Sequence, residues 1–306
     1  MRVVSLFDGM SCGQLALDKL GIKPTYFASE IDKYAMQVTK ANFPNTHFIG
    51  DVTKVDAKLL PKIDLLLGGS PCQGFSFAGK QLNFDDPRSK LFFEYVRLLK
   101  ELKPKYFLLE NVRMKKESQD IISEYLGVQP IAINSNLVSA QNRYRLYWTN
   151  IPNITQPKDK QINLKDIIED GLTDRTKSHC IDANYFKGGN LKSYFEKHRR
   201  QLVFIREPNI ICGAFRGRYE PDGTTKQRLE LRPDYKTNTL TRVQKDNVAV
   251  YIDKLEWRKL TPIECERLQT VPDNYTDGVS NTQRYKMLGN GWTVDVIAHI
   301  FKGINS

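Results

Sequence analysis

The chain has 306 residues, with 46 Lys plus Arg against 35 Asp plus Glu, for a net charge of +11. Its 40% hydrophobic and 26% charged residues are ordinary for a globular protein of one large domain, or of one large and one smaller domain. No apolar run approaches the roughly 20 residues of a membrane span. The start, MRVVSLFDGM, has no secretory core followed by a small-residue cleavage site. The five cysteines (Cys12, Cys72, Cys180, Cys212 and Cys265) are odd in number, scattered and without a CxxC pair. A disulfide framework and a cysteine zinc site are disfavoured, so a cytoplasmic protein with free thiols and no metal is expected.

In chain order, RVVSLF (2–7) predicts a buried strand that begins almost at once, and Leu15, Leu17 and Leu20 predict a helix after it. TYFASE (25–30) is a second strand and IDKYAMQVTKANF (31–43) a second helix. HFIGD (47–51) is short and extended, and IDLLLGG (63–69) reads as a fourth strand. SKLFFEYVRLLKEL (89–102) has helical spacing and KYFLLEN (105–111) is a fifth strand. This β-α-β-α rhythm predicts a doubly wound, mostly parallel sheet, with ligands bound beyond the carboxyl ends of its strands. From about 150 to 259 the rhythm stops and turns dominate, as in FKGGN, GAFRGRYEPDG and RPDYKTN, so a smaller β- and loop-rich domain is expected. Residues 177–259 hold 18 Lys plus Arg against 10 Asp plus Glu, a local excess of +8. Such a face suits a polyanion, although a merely solvated surface is the alternative. TPIECERLQTVP and MLGNGWTVDVIAHIFKGI return to helical patterning.

Chemistry collects at the predicted strand ends. FDGMSCGQ (7–14) turns on Gly9 and Gly13 but is not GxGxxG, which disfavours a pyrophosphate clamp. Glu30, 22 residues after Asp8, is placed to accept ribose hydroxyls, and Asp51 to accept an adenine amino group. The result is a nucleoside pocket without phosphate contacts, and S-adenosylmethionine is such a nucleoside. Plain helix capping by Asp8 and Glu30 is the alternative. Cys72 follows a proline in GGSPCQGFSFAG, beyond the fourth strand, and Glu110 ends the fifth. A thiolate can add to C6 of a pyrimidine, and a protonated carboxyl can neutralise the charge that develops at N3. Gln141, Arg143 and Arg145 alternate in QNRYRLYW and so share one face. Two guanidinium groups there could hold a carboxylate and a base carbonyl, or could simply be solvated.

FDGMSCG, Glu30, GDV (50–52), PCQGFS, Glu110-Asn111-Val112, QNRYR, RKLTPIECERLQTVPDNY and LGNGWTVDVI stand in the order found in the DNA cytosine-5 methyltransferases, which the chain resembles over nearly its whole length apart from residues 176–232. The resemblance implies the S-adenosylmethionine-dependent methyltransferase type of α/β sheet, with residues 1–172 and 282–306 forming the catalytic, cofactor-binding domain and 173–281 the target-recognition domain and hinge. It implies Cys72 as nucleophile, Glu110 on N3 and the exocyclic amine, Arg145 on the base carbonyl, and Arg143 positioning the cysteine loop. Phe7 would pack on the adenosine of the cofactor, Asp8, Gly9 and Gly13 would shape the pocket, and Glu30 would hold the ribose. Asp51 and Val52 would hold the adenine, while Pro71, Leu91, Asn290 and Trp292 line the remainder. The family often has an aromatic residue after the ribose acid; here Ile31 takes that place among the cofactor-binding residues, without an aromatic face to stack on adenine.

Duplex DNA is the implied partner, with a cognate restriction endonuclease as a second and a monomer as the expected state. Gln73, Ser76, Lys80 and Thr239 would meet the DNA, and Arg216, Arg218 and Arg228, around the turn YEPDGTT, would read it from the major groove. Residues 73–88 suit a lid over the DNA, an ordinary surface loop being the alternative. The family's branch acting on tRNA, and an inactive DNA-binding homologue, are the rival functions. A nicotinamide oxidoreductase is disfavoured by the missing GxGxxG.

Overall fold

The computed structural model describes residues 1–70, 90–205, 210–232, 247–251 and 256–305. Two compact units emerge: a larger one of Met1–Glu169, Arg175–Gln201 and Lys259–Ser306, and a smaller one of Asp170–Asp174 and Leu202–Arg258.

The larger unit is built on seven strands: β1 (Arg2–Leu6), β2 (Thr25–Ser29), β3 (His47–Phe48), β4 (Leu65–Gly68), β5 (Tyr106–Val112), β6 (Ile131–Asn134) and β7 (Tyr144–Thr149). Their order is β3-β2-β1-β4-β5-β7-β6. Strands β1, β4 and β5 are largely apolar and buried because helices cover both faces of a parallel sheet. The chain winds outward in both directions from β1 and β4, which opens a crevice at their carboxyl ends. Leu6 pairs with both Ser29 and Gly68, and Gly68 with Leu109, so these strand ends lie level. Strand β7 runs antiparallel to β5 and β6, with Val112 opposite Arg145. Reversal brings the beginning of β7 to the edge where the other strands end.

The helices are α1 (Cys12–Asp18), α2 (Lys33–Asn42), α3 (Lys90–Leu102), α4 (Lys116–Leu126) and α5 (Leu191–Lys197), then α6 (Pro262–Leu268), α7 (Asn281–Asn290) and α8 (Val294–Phe301). Val4, Leu66, Phe92, Tyr95, Leu109 and Trp148 belong to the core between sheet and helices. Helix α6 opens on a capping box, in which the Thr261 hydroxyl accepts from the Glu264 N–H and the Glu264 carboxylate from the Thr261 N–H, with Pro262 in the first turn. Its Glu266, fully buried, accepts from the backbone of Asn274 and Thr276 and pairs with Arg284 of α7 at 2.9 Å.

In the smaller unit, β8 (Leu202–Phe204) pairs with β12 (Trp257–Lys259), while β9 (Ile210–Tyr219) lies between β10 (Thr225–Arg232) and β11 (Asn247–Tyr251). The β9–β10 turn is closed by Asp222, which accepts from Thr224, and by Gly223 at φ +81°. Arg216 stands opposite Arg228 and Arg218 opposite Lys226, so four cations share one face of the ribbon with Glu230.

Three differences from the sequence reading stand out. The expected extended segment 47–51 is strand only at His47–Phe48, because Asp51 caps a short 3₁₀ turn, Val52–Lys54. Strand β6 was not anticipated. Residues 175–201 and 259–281, expected with the recognition region, belong to the sheet-bearing unit.

Candidate active site

The loop after β1 bends through three residues in the left-handed region, Phe7 (φ 57°), Gly9 (φ 60°) and Ser11 (φ 61°). Two of the three bear side chains, so the surroundings must hold the conformation. Asp8 supplies the hold: its carboxylate accepts from the Ser11 hydroxyl at 2.5 Å and from the Tyr26 hydroxyl at 2.8 Å. As a residue Asp8 is half-buried, but its carboxyl is turned inward to Tyr26, which is fully buried. Loss of water pushes that carboxyl up to about 6, against the opposing pull of its hydroxyl donors.

Glu30 follows β2 and receives three backbone donors: Gly9 on Oε2 at 2.7 Å, and Ile31 and Asp32 on Oε1 at 2.8 Å each. Its plane is thereby fixed against the β1 loop. Asp51 accepts from the Thr53 N–H and hydroxyl, both at 2.9 Å, and these bonds hold its carboxyl below the usual range.

Above the level strand ends lies a cavity of about 530 Å³, within the range of small-molecule sites. Phe7, Asp8 and Gly9 border it from the first loop, and Glu30, Ile31, Asp51 and Val52 from the next two strand ends. Leu91 borders it from α3, and Asn290, Gly291 and Trp292 from the turn between α7 and α8. Ile31 is 75% exposed and stands at the mouth of the cavity. Gly13 is not part of the lining: a Cβ there would fall 2.7 Å from Leu67 Cδ1 and 2.9 Å from the Tyr26 hydroxyl, so this glycine lets α1 lie against the sheet.

The far end of the cavity is ionic. Glu110, 9% exposed, meets Arg145 Nε at 2.9 Å through Oε1 and accepts from the Trp292 indole N–H at 3.1 Å through Oε2. Arg143 turns elsewhere. It is buried, and its guanidinium donates to the carbonyls of Ile181 (3.0 Å), Gly289 (3.2 Å) and Gly291 (2.8 Å). Gln141 is also buried and donates to the Leu268 carbonyl at 2.7 Å. Asn111 donates to the Ser70 carbonyl at 3.3 Å, holding the chain just before Pro71.

The model of the C-5 cytosine-specific DNA methylase family matches residues 1–306. The chain belongs to that family. Among relatives, it is 32% identical to the type II methyltransferase M1.ScrFI of Lactococcus lactis subsp. cremoris, over 97% of this chain and 76% of that protein. To the type II methyltransferase M.HhaI of Haemophilus parahaemolyticus it is 28% identical, over 100% and 94%. Among solved structures, a DNMT2 variant of Spodoptera frugiperda superposes with a TM-score of 0.65 at 19% identity, covering 100% of this chain and 99% of that one. At that identity the likeness is one of fold.

As a member of the C-5 cytosine-specific DNA methylases, the chain is a DNA (cytosine-5) methyltransferase, and S-adenosylmethionine is the cofactor the family implies. Pro71, Cys72, Gln73, Ser76, Lys80 and Thr239, with the expected lid 73–88, lie outside the described residues. Arg218 is paired to Glu230 by two bonds of 2.5 and 2.7 Å, and Arg228 to Glu220. Among the described residues, no group of three or more His, Cys, Asp or Glu is placed to hold a metal, and no helix is long and apolar enough to cross a membrane. Sequence reasoning missed the Ser11 and Tyr26 bonds to Asp8, the Trp292 bond to Glu110, and the cavity positions of Gly69, Gln283 and Lys286. Gly69 carried a signal, since a second consecutive glycine at a strand end marks a close approach.

Proposed function

We propose that the chain methylates C5 of a cytosine flipped out of a specific duplex DNA sequence, through a covalent bond between Cys72 Sγ and C6. The observation that carries this is the Arg145–Glu110–Trp292 cluster at one end of a cavity whose other end is lined by Glu30 and Asp51. The lining fits the cofactor. Glu30 presents a fixed acceptor for ribose hydroxyls, Asp51 an acceptor for an amino group, and Val52, Leu91 and Phe7 apolar surface for adenine. Asp8, Gly9 and Asn290 border the remainder, and the acidic lining favours a cationic sulfonium. When bound, S-adenosylmethionine supplies an electrophilic methyl group and leaves as S-adenosylhomocysteine.

The chain's own residues then divide the work. Cys72, two residues beyond the anchored Ser70, adds its sulfur to C6, and Glu110 holds a proton toward N3 so that negative charge does not build up on the ring. Arg145 orients Glu110 and contacts the base carbonyl. After methylation C5 loses its proton to a base, and the electron pair expels Cys72 from C6. Extruding the cytosine costs a few kcal/mol of stacking and pairing, which contacts from Gln73, Ser76, Lys80 and Thr239 offset. Arg218 and Arg228 exchange their acidic partners for guanine edges or phosphates, and Arg216 joins them on the DNA. We place the enzyme in the cytoplasm of a bacterial or phage-infected cell, acting as a monomer, with or without a cognate endonuclease, and the smaller unit, Asp170–Asp174 and Leu202–Arg258, as its recognition region.

Cys72→Ser tests the chemistry. Methyl transfer should fall below detection while DNA binding stays within about threefold, and duplex DNA carrying 5-fluorocytosine should form an adduct with the wild type alone. Full activity in that variant sinks the covalent route, and a tRNA that outcompetes duplex DNA as methyl acceptor sinks the DNA assignment.

A further inference from the structure

We propose that Trp292 is a positioning residue for Glu110, its indole N–H setting the plane of the carboxylate and tying that plane to the wall of the cofactor cavity. The inference rests on the methyltransferase reading above and goes beyond packing on the cofactor, the role the sequence suggested.

The indole is threaded between two glycines. A Cβ on Gly69, just past β4, would fall 3.0 Å from Trp292 Nε1 and 3.3 Å from Glu110 Oε2, and one on Gly13 would fall 3.5 Å from Trp292 Cζ3. Glycine at 69 is thus what lets the ring reach the carboxylate. Glu110 then has one donor on each oxygen, Arg145 Nε at 2.9 Å and the indole at 3.1 Å. With Arg145 alone, the carboxylate could pivot about a single contact. The indole is a donor only, and it adds a second fixed point without adding charge.

The turn carrying Trp292 is equally constrained. Arg143 grips the carbonyls of Gly289 and Gly291, and Gln269 Nε2 donates to those of Leu288 (2.6 Å) and Gly291 (3.2 Å). The Thr293 hydroxyl accepts from Ser135 and donates to Gln269, both at 2.9 Å. These partners are buried, so the indole is delivered from a rigid platform. Arg143 therefore acts on the far side of Trp292 rather than on Glu110 itself. Because Trp292 and Glu110 border one cavity, a molecule that presses on the ring also bears on the carboxylate.

Trp292→Phe keeps an aromatic wall and removes the N–H. Cofactor affinity would be measured by titration calorimetry, DNA affinity by band shift, and the chemical step by single-turnover transfer of labelled methyl groups at saturating cofactor and DNA. The expected result is a fall of about tenfold or more in the single-turnover rate, equivalent to about 1.4 kcal/mol, with both dissociation constants within about threefold. Gly69→Ala, which places a methyl group against both members of the pair, should reproduce that split, and it serves as the test should Trp292→Phe fail to fold. An unchanged rate at saturation, or a loss confined to cofactor affinity, overturns the proposal and leaves Trp292 as cavity wall. A wild type that methylates no DNA overturns the function itself, an outcome visible before any variant is made.

Discussion

Asp8 combines structure and chemistry in one carboxyl, and its proton affinity gives it a measurable signature. The group stands at 3.8 unfolded and at about 6 in the fold. The fold therefore prefers its protonated form, so its stabilising contribution is complete below pH 3.8 and lost as pH rises through about 6. Asp8→Asn cannot ionise, and it keeps one acceptor oxygen where Asp8 offers a separate oxygen to Ser11 and to Tyr26. Relative to wild type the variant should gain stability between pH 4.5 and pH 8, by about 2 kcal/mol in urea unfolding; a difference that stays flat with pH refutes the assignment. Glu30→Ala should weaken cofactor binding by about tenfold or more and, by stranding the Gly9 N–H, cost about 1–3 kcal/mol in unfolding; unaltered affinity in calorimetry would remove Glu30 from the binding site. Asp8 and Glu30 were both legible in the sequence because they sit at fixed intervals after strands. Their partners were not: Tyr26 becomes a neighbour of Asp8 only when β1 and β2 pair, and Ser11 only when the loop between them bends through left-handed residues.

At the scale of elements, the parallel strands could be read directly, since β1, β4 and β5 are buried on both faces and so are largely apolar runs, polar only at Ser5, Glu110 and Asn111 within their buried spans. Strand β6, with only four residues and mostly half-buried, carries no such run. Helix α6 was legible for a different reason, its TPIE start. The ion pair that joins α6 to α7 was not. Glu266 and Arg284 look like solvated charges in ERLQTVP and TQRYK, yet they meet in the interior at 2.9 Å. Removing one partner of a buried pair leaves the other uncompensated, so Glu266→Ala should cost about 3–5 kcal/mol. Thr261→Ala, which removes the cap and an exposed bond to Glu169, should cost about 1 kcal/mol. Equal costs for the two variants in denaturant titrations would mean that the pair is not a structural centre. Gly289 lies on α7 as well: a Cβ there would stand 2.2 Å from the Asp182 backbone, so Gly289→Ala cannot be accommodated without moving the turn that carries Trp292.

For the whole molecule, the +8 excess of residues 177–259 pointed to a polyanion, but their charge alone could not show its arrangement. Register supplies that arrangement by setting Arg216 opposite Arg228 and Arg218 opposite Lys226. Neutralising Arg216, Arg218 and Arg228 together should lower DNA affinity and flatten its dependence on salt, by roughly 0.9 in log–log slope for each phosphate no longer neutralised. A slope equal to wild type would place these arginines on base edges or off the DNA. The Glu110–Trp292 bond spans 182 residues and no local pattern announces it. It arises from topology, because β5 and the α7–α8 turn open onto one edge.

That same topology sets a timetable. The cavity wall formed by Asn290, Gly291 and Trp292 is synthesised well after Phe7, Glu30, Asp51 and Glu110 have left the ribosome. A growing chain can thus assemble much of its sheet while its pocket lacks a side. Translation that stalls before residue 289 would release a polypeptide without the indole that donates to Glu110 Oε2.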